Sequence, residues 1–287
     1  MKKKVLVLGA TGMLGHQVVY RLDNNPDFEV VNVSYRNKLN SNTIILDLNN
    51  KSKLEDLLKD EKPTYVINCV GVLIKGANSN PANAIYLNSY LPHFLAQVCD
   101  DINAKLIHIS TDCVFSGDKG GYTEKDEKDG KDIYAKTKAL GEVENTKHLT
   151  LRTSIIGPEL KENGEGLFHW FMEQEGETNG FTQAIWSGVT TTELAKVIEQ
   201  SIKQELQGLY HVTNSKSINK FELLKLFKKE TGKAVKINEV EGKAVNKSFV
   251  DTQRDLKRII PSYAIMVQEM VQFMKENPTL YKNYNLG

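Results

Sequence analysis

The sequence predicts an α/β fold, in which a doubly wound parallel sheet is followed by a smaller C-terminal lobe. Two observations predict it: short runs rich in β-branched residues alternate with longer amphipathic stretches, and a glycine-rich turn follows the first run. Parallel strands need crossover connections long enough to hold a helix, which produces this alternation. At 287 residues, of which 40% are hydrophobic, the chain can bury a sizeable core.

The charge balance argues against polyanionic partners. Lysine and arginine total 37 against 36 acidic residues, so the formal net charge is +1 and no overall field favours nucleic acid or an anionic membrane. The lysines at 2–4 precede an apolar run that stops at Gly9, which is too short for a spanning helix and does not resemble a signal peptide. We therefore expect a cytoplasmic protein with no nucleic-acid or membrane partner.

The cysteines give no sign of a disulfide framework or a metal site. There are three of them, Cys69, Cys99 and Cys113. An odd number without paired close spacing disfavours both disulfide bonds and a zinc site. We expect buried free thiols and no bound metal.

Six short apolar runs in the first half of the chain are predicted to be strands. They are Lys4–Leu8, Glu29–Val33, Thr43–Leu46, Tyr65–Asn68, Lys105–Ser110 and Leu149–Thr153. Asn80 and Pro81 predict the start of a long helix that runs toward Cys99, because proline suits the first turn of a helix. The stretch 117–132, rich in glycine, lysine and aspartate, predicts an exposed loop.

The turn after the first strand carries the pattern of a dinucleotide site. In "VLVLGATGMLG", Gly9, Gly12 and Gly15 follow a strand and open a helix, so the backbone can approach a pyrophosphate at a helix amino terminus. The spacing differs from the commoner G-x-G-x-x-G and would also suit a turn beside a tightly packed helix. Its place at the first strand of a βαβ unit favours dinucleotide binding. The residues assigned to the cofactor are Gly9, Thr11, Gly12, Met13 and Leu14.

The end of the second strand selects between the dinucleotides. NAD sites usually place an acidic residue there for the ribose hydroxyls, whereas an arginine can pair with the 2′-phosphate of NADP. The chain reads "VSYRNK" from Val33 to Lys38, with two cations and no acid. NADP(H) is therefore favoured over NAD(H), with Arg36 as the phosphate ligand. The alternative is that Arg36 and Lys38 are solvated loop charges.

The regular alternation loosens beyond about Gly157, where "GPELKENGEGLFHWF" indicates that the chain leaves the sheet. Two later runs, Leu209–Thr213 and Val235–Val240, fit either strands of a second lobe or edge strands of the main sheet. We expect residues 1–156 to form an NAD(P)-binding domain. Residues 157–287 should form mainly a substrate-binding lobe, with some segments returning to the first domain.

The stretch "YAKTK" places Tyr134 and Lys138 four residues apart, on one face of a predicted helix. A lysine beside a tyrosine favours the phenolate and should lower the pKa of the phenol, which makes the tyrosine usable for acid–base chemistry near neutral pH. Such a pair alone is usually just two exposed helix residues. Together with the glycine turn and the polar strand end "STD" at 110–112, it predicts a catalytic site.

These motifs, taken in order, resemble a known superfamily. The chain carries "GATGMLG", "ILDL", "VINCVG", "STDCVFSG", "YAKTKALGE" and "LRTSIIGP". It is similar to the extended, sugar-nucleotide-modifying branch of the short-chain dehydrogenase/reductases, and most resembles the dTDP-4-dehydrorhamnose reductases within that branch. The resemblance covers essentially the whole chain. It implies a Rossmann-type fold with a C-terminal substrate-binding lobe and an NAD(P)-dependent oxidoreductase activity.

The resemblance also implies roles for residues at matching positions. Thr111 corresponds to the hydroxyl that polarises the substrate carbonyl, Tyr134 to the proton donor, and Lys138 to the residue that binds the nicotinamide ribose and tunes the tyrosine. Asp112 would brace the turn after Thr111, or simply cap a helix or loop. The other implied cofactor positions are Asp47 and Leu48 at the adenine, Cys69, Val70 and Gly71 after the fourth strand, and Thr153 and Ser154 beside the nicotinamide.

Two departures from the reductase pattern fall near the sugar. The rhamnose-pathway reductases usually read S-T-D-Y-V-F and R-T-S-W, whereas this chain has Cys113 and Ile155 at the aromatic positions. The loss of two rings changes the shape of the pocket and its stacking surface. Trp170 and Trp186 are candidates to rebuild an aromatic wall from the second lobe, although a tryptophan more often serves plain packing.

The leading hypothesis is an NADPH-dependent reductase of a 4-keto group on a nucleoside-diphosphate 6-deoxyhexose, which would make a deoxysugar for a cell-surface polysaccharide. A sugar-nucleotide epimerase would use the same three catalytic residues but keep NAD bound. A cofactor-sensing regulatory subunit would generally lose the tyrosine or the lysine, and this chain keeps both. The expected partner is a nucleotide sugar, and the expected assembly is a homodimer.

Overall fold

The computed structural model describes residues 2–253 and 255–286, and its centre is a parallel sheet of seven strands. These are β1 (Lys3–Leu8), β2 (Phe28–Ser34), β3 (Thr43–Ile45), β4 (Tyr65–Asn68), β5 (Lys105–Thr111), β6 (Leu149–Thr153) and β11 (Gly208–His211). Their order across the sheet is β3-β2-β1-β4-β5-β6-β11. The order reverses direction at β1 and β4, and open sheets of this kind bind ligands at that reversal, beyond the carboxyl ends of the strands.

Helices cover both faces of the sheet. Those of the first half are α1 (Gly15–Asp23), α2 (Lys51–Glu61), α3 (Ile74–Ser79), α4 (Pro81–Ala84), α5 (Leu91–Asp101) and α6 (Ile133–Leu140). A π-helical segment, Ile85–Tyr90, joins α4 to α5, and a single 3₁₀ turn, Asp112–Val114, follows β5. The doubly wound Rossmann-type architecture is thus confirmed.

The second half of the chain adds helices and three small groups of paired strands. The helices are α7 (Leu167–Glu173), α8 (Thr191–Lys203), α9 (Lys220–Thr231) and α10 (Tyr263–Glu276). The strands are β7 (Ile155–Ile156), β8 (Glu177–Phe181), β9 (Ala184–Trp186), β10 (Val189–Thr190), β12 (Ile218–Asn219), β13 (Lys236–Val240) and β14 (Val245–Asn246). β7 pairs with β10, β8 with β13, and β9 with both β12 and β14. Across the described residues, every helix is too short or too polar to cross a membrane.

The central sheet is buried on both faces, and each face has its own core. Along β1, Val5 and Val7 belong to the core that contains α1, α8 and α10, whereas Leu6 and Leu8 belong to the core that contains α2 and α5. Side chains alternate between the two faces of a strand, so a strand that is covered on both faces needs an uninterrupted apolar run. This is why the first strand reads VLVL.

The six strands predicted in the first half are present, with ends that differ by one residue or match. The two later runs form strands in different sheets. The first, at 209–213, contributes β11 at the edge of the central sheet beside β6. The second, at 235–240, contributes β13, which pairs with β8 outside the central sheet.

Two local expectations need correction. The long helix does begin at Pro81, with the Asn80 side chain accepting from the N–H of Asn83, but it passes through the π-helical segment before α5. The stretch 117–132 is not simply an exposed loop, because Tyr122 within it is buried and stacks on Phe115 with ring centroids 4.2 Å apart. Spacing and composition cannot show either feature, since both depend on tertiary neighbours.

Candidate active site

The glycine turn brings two stretches of backbone into close contact. Gly9 has a φ of +83°, a region that favours glycine, and its carbonyl accepts the N–H of Gly12 at 2.9 Å. A Cβ on Gly15 would lie 2.0 Å from the Gly9 carbonyl oxygen. Only glycine therefore allows α1 to start this close to the end of β1.

The open side of the turn offers unpaired donors. Within the described part of the chain, the backbone N–H groups of Thr11, Met13 and Leu14 find no protein acceptor, and Gly12 is exposed. Unpaired N–H groups at a helix amino terminus attract an anion. The turn therefore fits the pyrophosphate of a dinucleotide.

The helix behind the turn is fixed from the far end of the chain. The imidazole of His16 is buried, and its Nδ1 lies 2.8 Å from the Gly12 carbonyl while its Nε2 lies 2.8 Å from the Tyr281 hydroxyl. Burial lowers the pKa of His16 to about 4, so the ring is neutral at pH 7. His16 thus holds the turn in place from inside the protein.

The residues after β4 form the opposite side of the crevice. A Cβ on Gly9 would lie 3.0 Å from Cγ2 of Val70 and 3.3 Å from the backbone of Cys69, so the ends of β1 and β4 nearly touch. The side chain of Asn68 accepts the N–H of Val70 at 3.1 Å and sets the path of this stretch. Gly71 is exposed at its end.

The residues predicted at the adenosine end lie on the loops after β2 and β3. The guanidinium carbon of Arg36 lies 4.6 Å from the ring centroid of Tyr35, and both side chains are exposed. The Asp47 carboxylate accepts the N–H of Asn49 at 3.0 Å, and the Leu48 carbonyl accepts the Tyr86 hydroxyl at 3.1 Å. Asp47 therefore stabilises its own loop, and Arg36 and Lys38 are two exposed cations on the loop after β2.

The end of β5 forms a compact polar turn. Thr111 donates its hydroxyl to the Asp112 carboxylate at 3.1 Å and accepts the N–H of Cys113 at 3.1 Å. Burial raises the pKa of Asp112, although the nearby charge of Lys247 opposes the shift. Burial also raises the pKa of Cys113 to about 12, so its thiol stays protonated. Asp112 braces the turn, as expected, by fixing the Thr111 hydroxyl.

Tyr134 meets this turn, but Lys138 does not act on it as the spacing predicts. Burial raises the pKa of Tyr134, opposed by a hydrogen bond with the Thr111 hydroxyl. The Lys138 amine instead donates to the carbonyl of Ile109 at 2.7 Å and lies 3.5 Å from Nε2 of His108. The expected lowering of the tyrosine pKa by the lysine is therefore wrong here, because burial outweighs any effect of the lysine and Lys138 points into the sheet.

Asn88 in the π-helical segment is a positioning residue that sequence reasoning missed. Its amide accepts the N–H of Val72 at 2.8 Å, donates to the Val72 carbonyl at 2.9 Å and donates to the Thr137 hydroxyl at 3.2 Å. It thus connects the stretch after β4 to α6, which carries Tyr134. A π-helical turn inside a longer helix is often found at functional sites, but it leaves no periodic signal in a single sequence.

The stretch after β6 brings the remaining predicted residues together. Thr153 donates its hydroxyl to the Val212 carbonyl at 2.8 Å, which joins the ends of β6 and β11. The indole N–H of Trp186 donates to the Ser154 hydroxyl at 2.8 Å, and the Trp186 ring packs 5.5 Å from the Tyr263 ring. Ile155 is half-buried. Trp186 therefore lies beside the predicted nicotinamide loop.

Comparison with known proteins assigns the chain to a family. Residues 2–279 match the family described as the RmlD substrate binding domain. The chain belongs to this family. Its relatives include dTDP-4-dehydrorhamnose reductases, which confirms the resemblance to the extended short-chain dehydrogenase/reductases, a superfamily of NAD(P)-dependent oxidoreductases.

The relatives include both reductases and proteins that are not named as reductases. A dTDP-4-dehydrorhamnose reductase of Streptomyces griseus is 32% identical over 139 residues, which are 48% of this chain and 43% of that protein. A reductase of the same name from Aggregatibacter actinomycetemcomitans is 26% identical over 76% of each chain. Methionine adenosyltransferase 2 subunit beta of Xenopus laevis is 26% identical over 77% of this chain and 70% of its own. The match therefore spans less than half of the Streptomyces protein and about three quarters of the other two.

Several solved structures share the fold of this family member. A dTDP-4-dehydrorhamnose reductase from Clostridium acetobutylicum has a TM-score of 0.80 at 22% identity, covering 95% of this chain and 99% of its own. The Bacillus anthracis enzyme, in complex with NADP, has a TM-score of 0.78 at 24% identity, covering 96% and 99%. A UDP-glucose 4-epimerase from Thermotoga maritima has a TM-score of 0.77 at 17% identity, covering 96% and 99%. One fold thus serves reductases and epimerases.

A buried ion pair links the strands that carry the site residues. Arg152 of β6 donates from Nε and Nη2 to the two oxygens of Glu142 at 2.7 and 2.6 Å, and Ser110 of β5 donates to Oε1 of Glu142 at 2.6 Å. Burial would raise the pKa of Glu142, but the hydrogen bonds and charges of Arg152, with Ser110, hold it below its ordinary value. Sequence reasoning missed this pair, although the serine of the "STD" strand end belongs to it.

The pair extends to His211 of β11 and to the stretch 117–132. Arg152 donates from Nη1 to Nε2 of His211 at 2.9 Å, and Glu124 accepts the N–H of His211 at 3.1 Å. Burial and the charge of Arg152 lower the pKa of His211 to about 4, so its ring can accept this bond. Three neighbouring strands and one loop are therefore joined through Arg152 and its two partners, Glu142 and His211.

We expect Glu142→Gln to lower the free energy of unfolding by about 3–5 kcal/mol, because the guanidinium of Arg152 would stay buried without its counter-ion. The measurement is urea unfolding followed by circular dichroism. Glu144→Gln is the matched control, since Glu144 also pairs with Lys128 but is half exposed, and it should change stability little. Equal losses of unfolding free energy in Glu142→Gln and Glu144→Gln would show that the buried ion pair stabilises the protein no more than the exposed one.

Proposed function

We propose that this protein is an NADPH-dependent reductase of the 4-keto group of a nucleoside-diphosphate 6-deoxyhexose, similar to the dTDP-4-dehydrorhamnose reductases. It would act in the cytoplasm, as a homodimer, in making a deoxysugar for a cell-surface polysaccharide. The observation that supports this most is that Tyr134 of α6 meets Thr111 at the carboxyl end of β5. This end lies on the same edge of the sheet as the glycine turn.

The proposed chemistry uses the protonated state of Tyr134. NADPH, when bound, would supply the hydride that adds to the keto carbon. Because burial raises its pKa, the Tyr134 phenol is protonated at neutral pH and can give its proton to the keto oxygen. The Thr111 hydroxyl, which donates to Asp112 here, would turn toward that oxygen and stabilise its developing charge. The carbonyl becomes an alcohol, and Tyr134 is left as a phenolate.

The pocket supports a substrate different from that of the rhamnose-pathway reductases. Cys113 stands directly after the Thr111–Asp112 turn, and Ile155 starts β7 beside Ser154. Both are smaller than the aromatic residues usual at these positions, so the sugar pocket should be wider and offer less stacking surface. Trp186 is held in place by its hydrogen bond to Ser154 and its packing on Tyr263. This supports a role as a fixed wall of the pocket.

A regulatory, non-catalytic role is the second candidate, because two of the relatives bear the name of an adenosyltransferase subunit. Tyr134 and Lys138 are both retained, and Tyr134 contacts Thr111, which favours catalysis. A sugar-nucleotide epimerase is the third candidate, since a solved epimerase shares the fold. An epimerase would keep NAD bound after purification and would turn over without added NADPH.

We expect Tyr134→Phe to bind NADPH normally but to lose about 10²- to 10⁴-fold in turnover, because the positioned acid is removed. Turnover is followed by the absorbance of the reduced cofactor, and binding by its fluorescence. Tyr90→Phe, on the exposed side of the π-helical segment, is the control and should keep full turnover. Undiminished turnover in Tyr134→Phe would exclude the proposed mechanism.

Arg36→Ala should weaken NADPH binding more than NADH binding, because a guanidinium pairs with a 2′-phosphate through charge-assisted hydrogen bonds that a hydroxyl cannot match. The measurement is the ratio of the two dissociation constants in the variant and the wild type. Lys38→Ala, which removes the other cation of this loop, serves as the comparison. An unchanged ratio in Arg36→Ala would make Arg36 a solvated loop charge.

A panel of 4-keto sugar nucleotides tests the substrate. We expect dTDP-4-dehydrorhamnose to be a poor substrate and a bulkier one, such as a 2-acetamido sugar on UDP, to be better, by about 1–3 kcal/mol in discrimination. The measurement is kcat/KM with NADPH for each sugar. A higher kcat/KM for the dTDP sugar than for every UDP 2-acetamido sugar would return the protein to the rhamnose pathway.

A further inference from the structure

A buried histidine contacts the proposed catalytic lysine. His108 of β5 is fully buried, and the parallel register of β4 and β5 places it opposite Asn68. Its Nδ1 lies 3.2 Å from the amide nitrogen of Asn68, and its Nε2 lies 3.5 Å from Nζ of Lys138. The imidazole thus lies between the end of β4 and α6, the helix that carries Tyr134 and Lys138.

The backbone fixes the orientation of this chain of contacts. The N–H of Val70 donates to the side-chain oxygen of Asn68 at 3.1 Å, so the NH₂ group of Asn68 is the group that faces His108. An amide NH₂ can only donate, and therefore Nδ1 of His108 must accept. In a neutral imidazole the remaining proton then lies on Nε2, the nitrogen that faces Lys138.

This tautomer has a consequence for the lysine. An ammonium group has only donors, so it cannot form a hydrogen bond with an Nε2–H that points at it. A neutral amine has a lone pair and can accept that proton, while it still donates to the Ile109 carbonyl at 2.7 Å. We propose that His108 is a positioning residue that donates its Nε2–H to the Lys138 amine and thereby favours the uncharged form of the lysine.

Burial and neighbouring charges shift the pKa values of both Lys138 and His108. Burial lowers the pKa of Lys138 to about 8, and the carboxylate of Glu142 opposes this shift. Burial also lowers the pKa of His108, and the charges of Lys138 and His93 add to the effect. Tyr134, one helical turn before Lys138, faces the Thr111 turn instead. His108 is therefore neutral across the range in which Lys138 titrates.

The consequence for turnover rests on the proposed function, in which Lys138 would bind the nicotinamide ribose, the role that the family resemblance implies. A charged lysine would be a stronger donor to the ribose hydroxyls of the bound cofactor than a neutral amine, and would hold the nicotinamide in place more firmly. Turnover should then fall as the pH rises through about 8, where Lys138 loses its charge. In this view His108 sets the upper pH limit of the reaction.

Two measurements on the cofactor-free protein test the proposal. The first is nitrogen NMR of ¹⁵N-histidine-labelled protein, in which the His108 signals are assigned from their loss in His108→Gln. We expect Nδ1 to be unprotonated and Nε2 protonated. The second is acetylation with acetic anhydride over a series of pH values, with mass spectrometry of the peptide that carries Lys138, which gives its pKa.

The variants of His108 are expected to differ in the pKa of Lys138. His108→Phe removes the donor and should raise the pKa of Lys138 by about one unit, the size expected for one lost hydrogen bond. The pH at which kcat falls should rise by the same amount. His108→Gln can accept from Asn68 and donate to Lys138, so it should keep the low pKa. His148→Phe is the matched control, because His148 is also buried and bonded through both nitrogens, to Leu106 and Ala96.

A proton on Nδ1 of His108 would overturn the proposal, and the wild-type spectrum decides this even if His108→Phe does not fold. A fall or no change in the Lys138 pKa in His108→Phe would overturn it as well, since an accepting Nε2 would have stabilised the ammonium. Neither measurement needs a substrate. Failure of the proposed reductase activity would therefore appear separately, as absent turnover with the expected tautomer and pKa.

Discussion

The buried pair of Arg152 and Glu142 is the interaction on which the rest of the site depends. Two desolvated charges are tolerated only when their geometry is good and their remaining hydrogen bonds are satisfied. Here the carboxylate receives two bonds from Arg152 and one from Ser110, and the third nitrogen of the guanidinium reaches His211. These bonds fix β5, β6 and β11 relative to one another, and with them the strand end that carries Thr111.

Much of the fold followed from the sequence because the signals were local. The strands of the central sheet appear as apolar runs, since a strand covered on both faces must be apolar throughout. The glycine turn was predictable because a tight backbone contact admits one residue type, as the 2.0 Å approach at Gly15 illustrates. The four-residue spacing of Tyr134 and Lys138 placed both on α6.

The rest depended on partners that are distant in the sequence. The spacing of Tyr134 and Lys138 suggested that the lysine acts on the tyrosine, but the Ile109 carbonyl and His108 draw Lys138 into the sheet. Asn88 contacts residues 16 and 49 positions away, and Arg152 contacts His211, 59 positions away. No periodicity within one segment encodes such contacts, and the assigned roles of the site residues stay predictions until they are measured.

The bond between His16 and Tyr281 joins residues 265 positions apart, and this has a consequence for synthesis. Chains emerge from the ribosome at about 5–20 residues per second, amino terminus first. The glycine turn therefore emerges well before the phenol that holds its helix, because 265 positions separate His16 from Tyr281. Until Tyr281 has been added, the nascent chain carries α1 and the glycine turn without the bond that holds them.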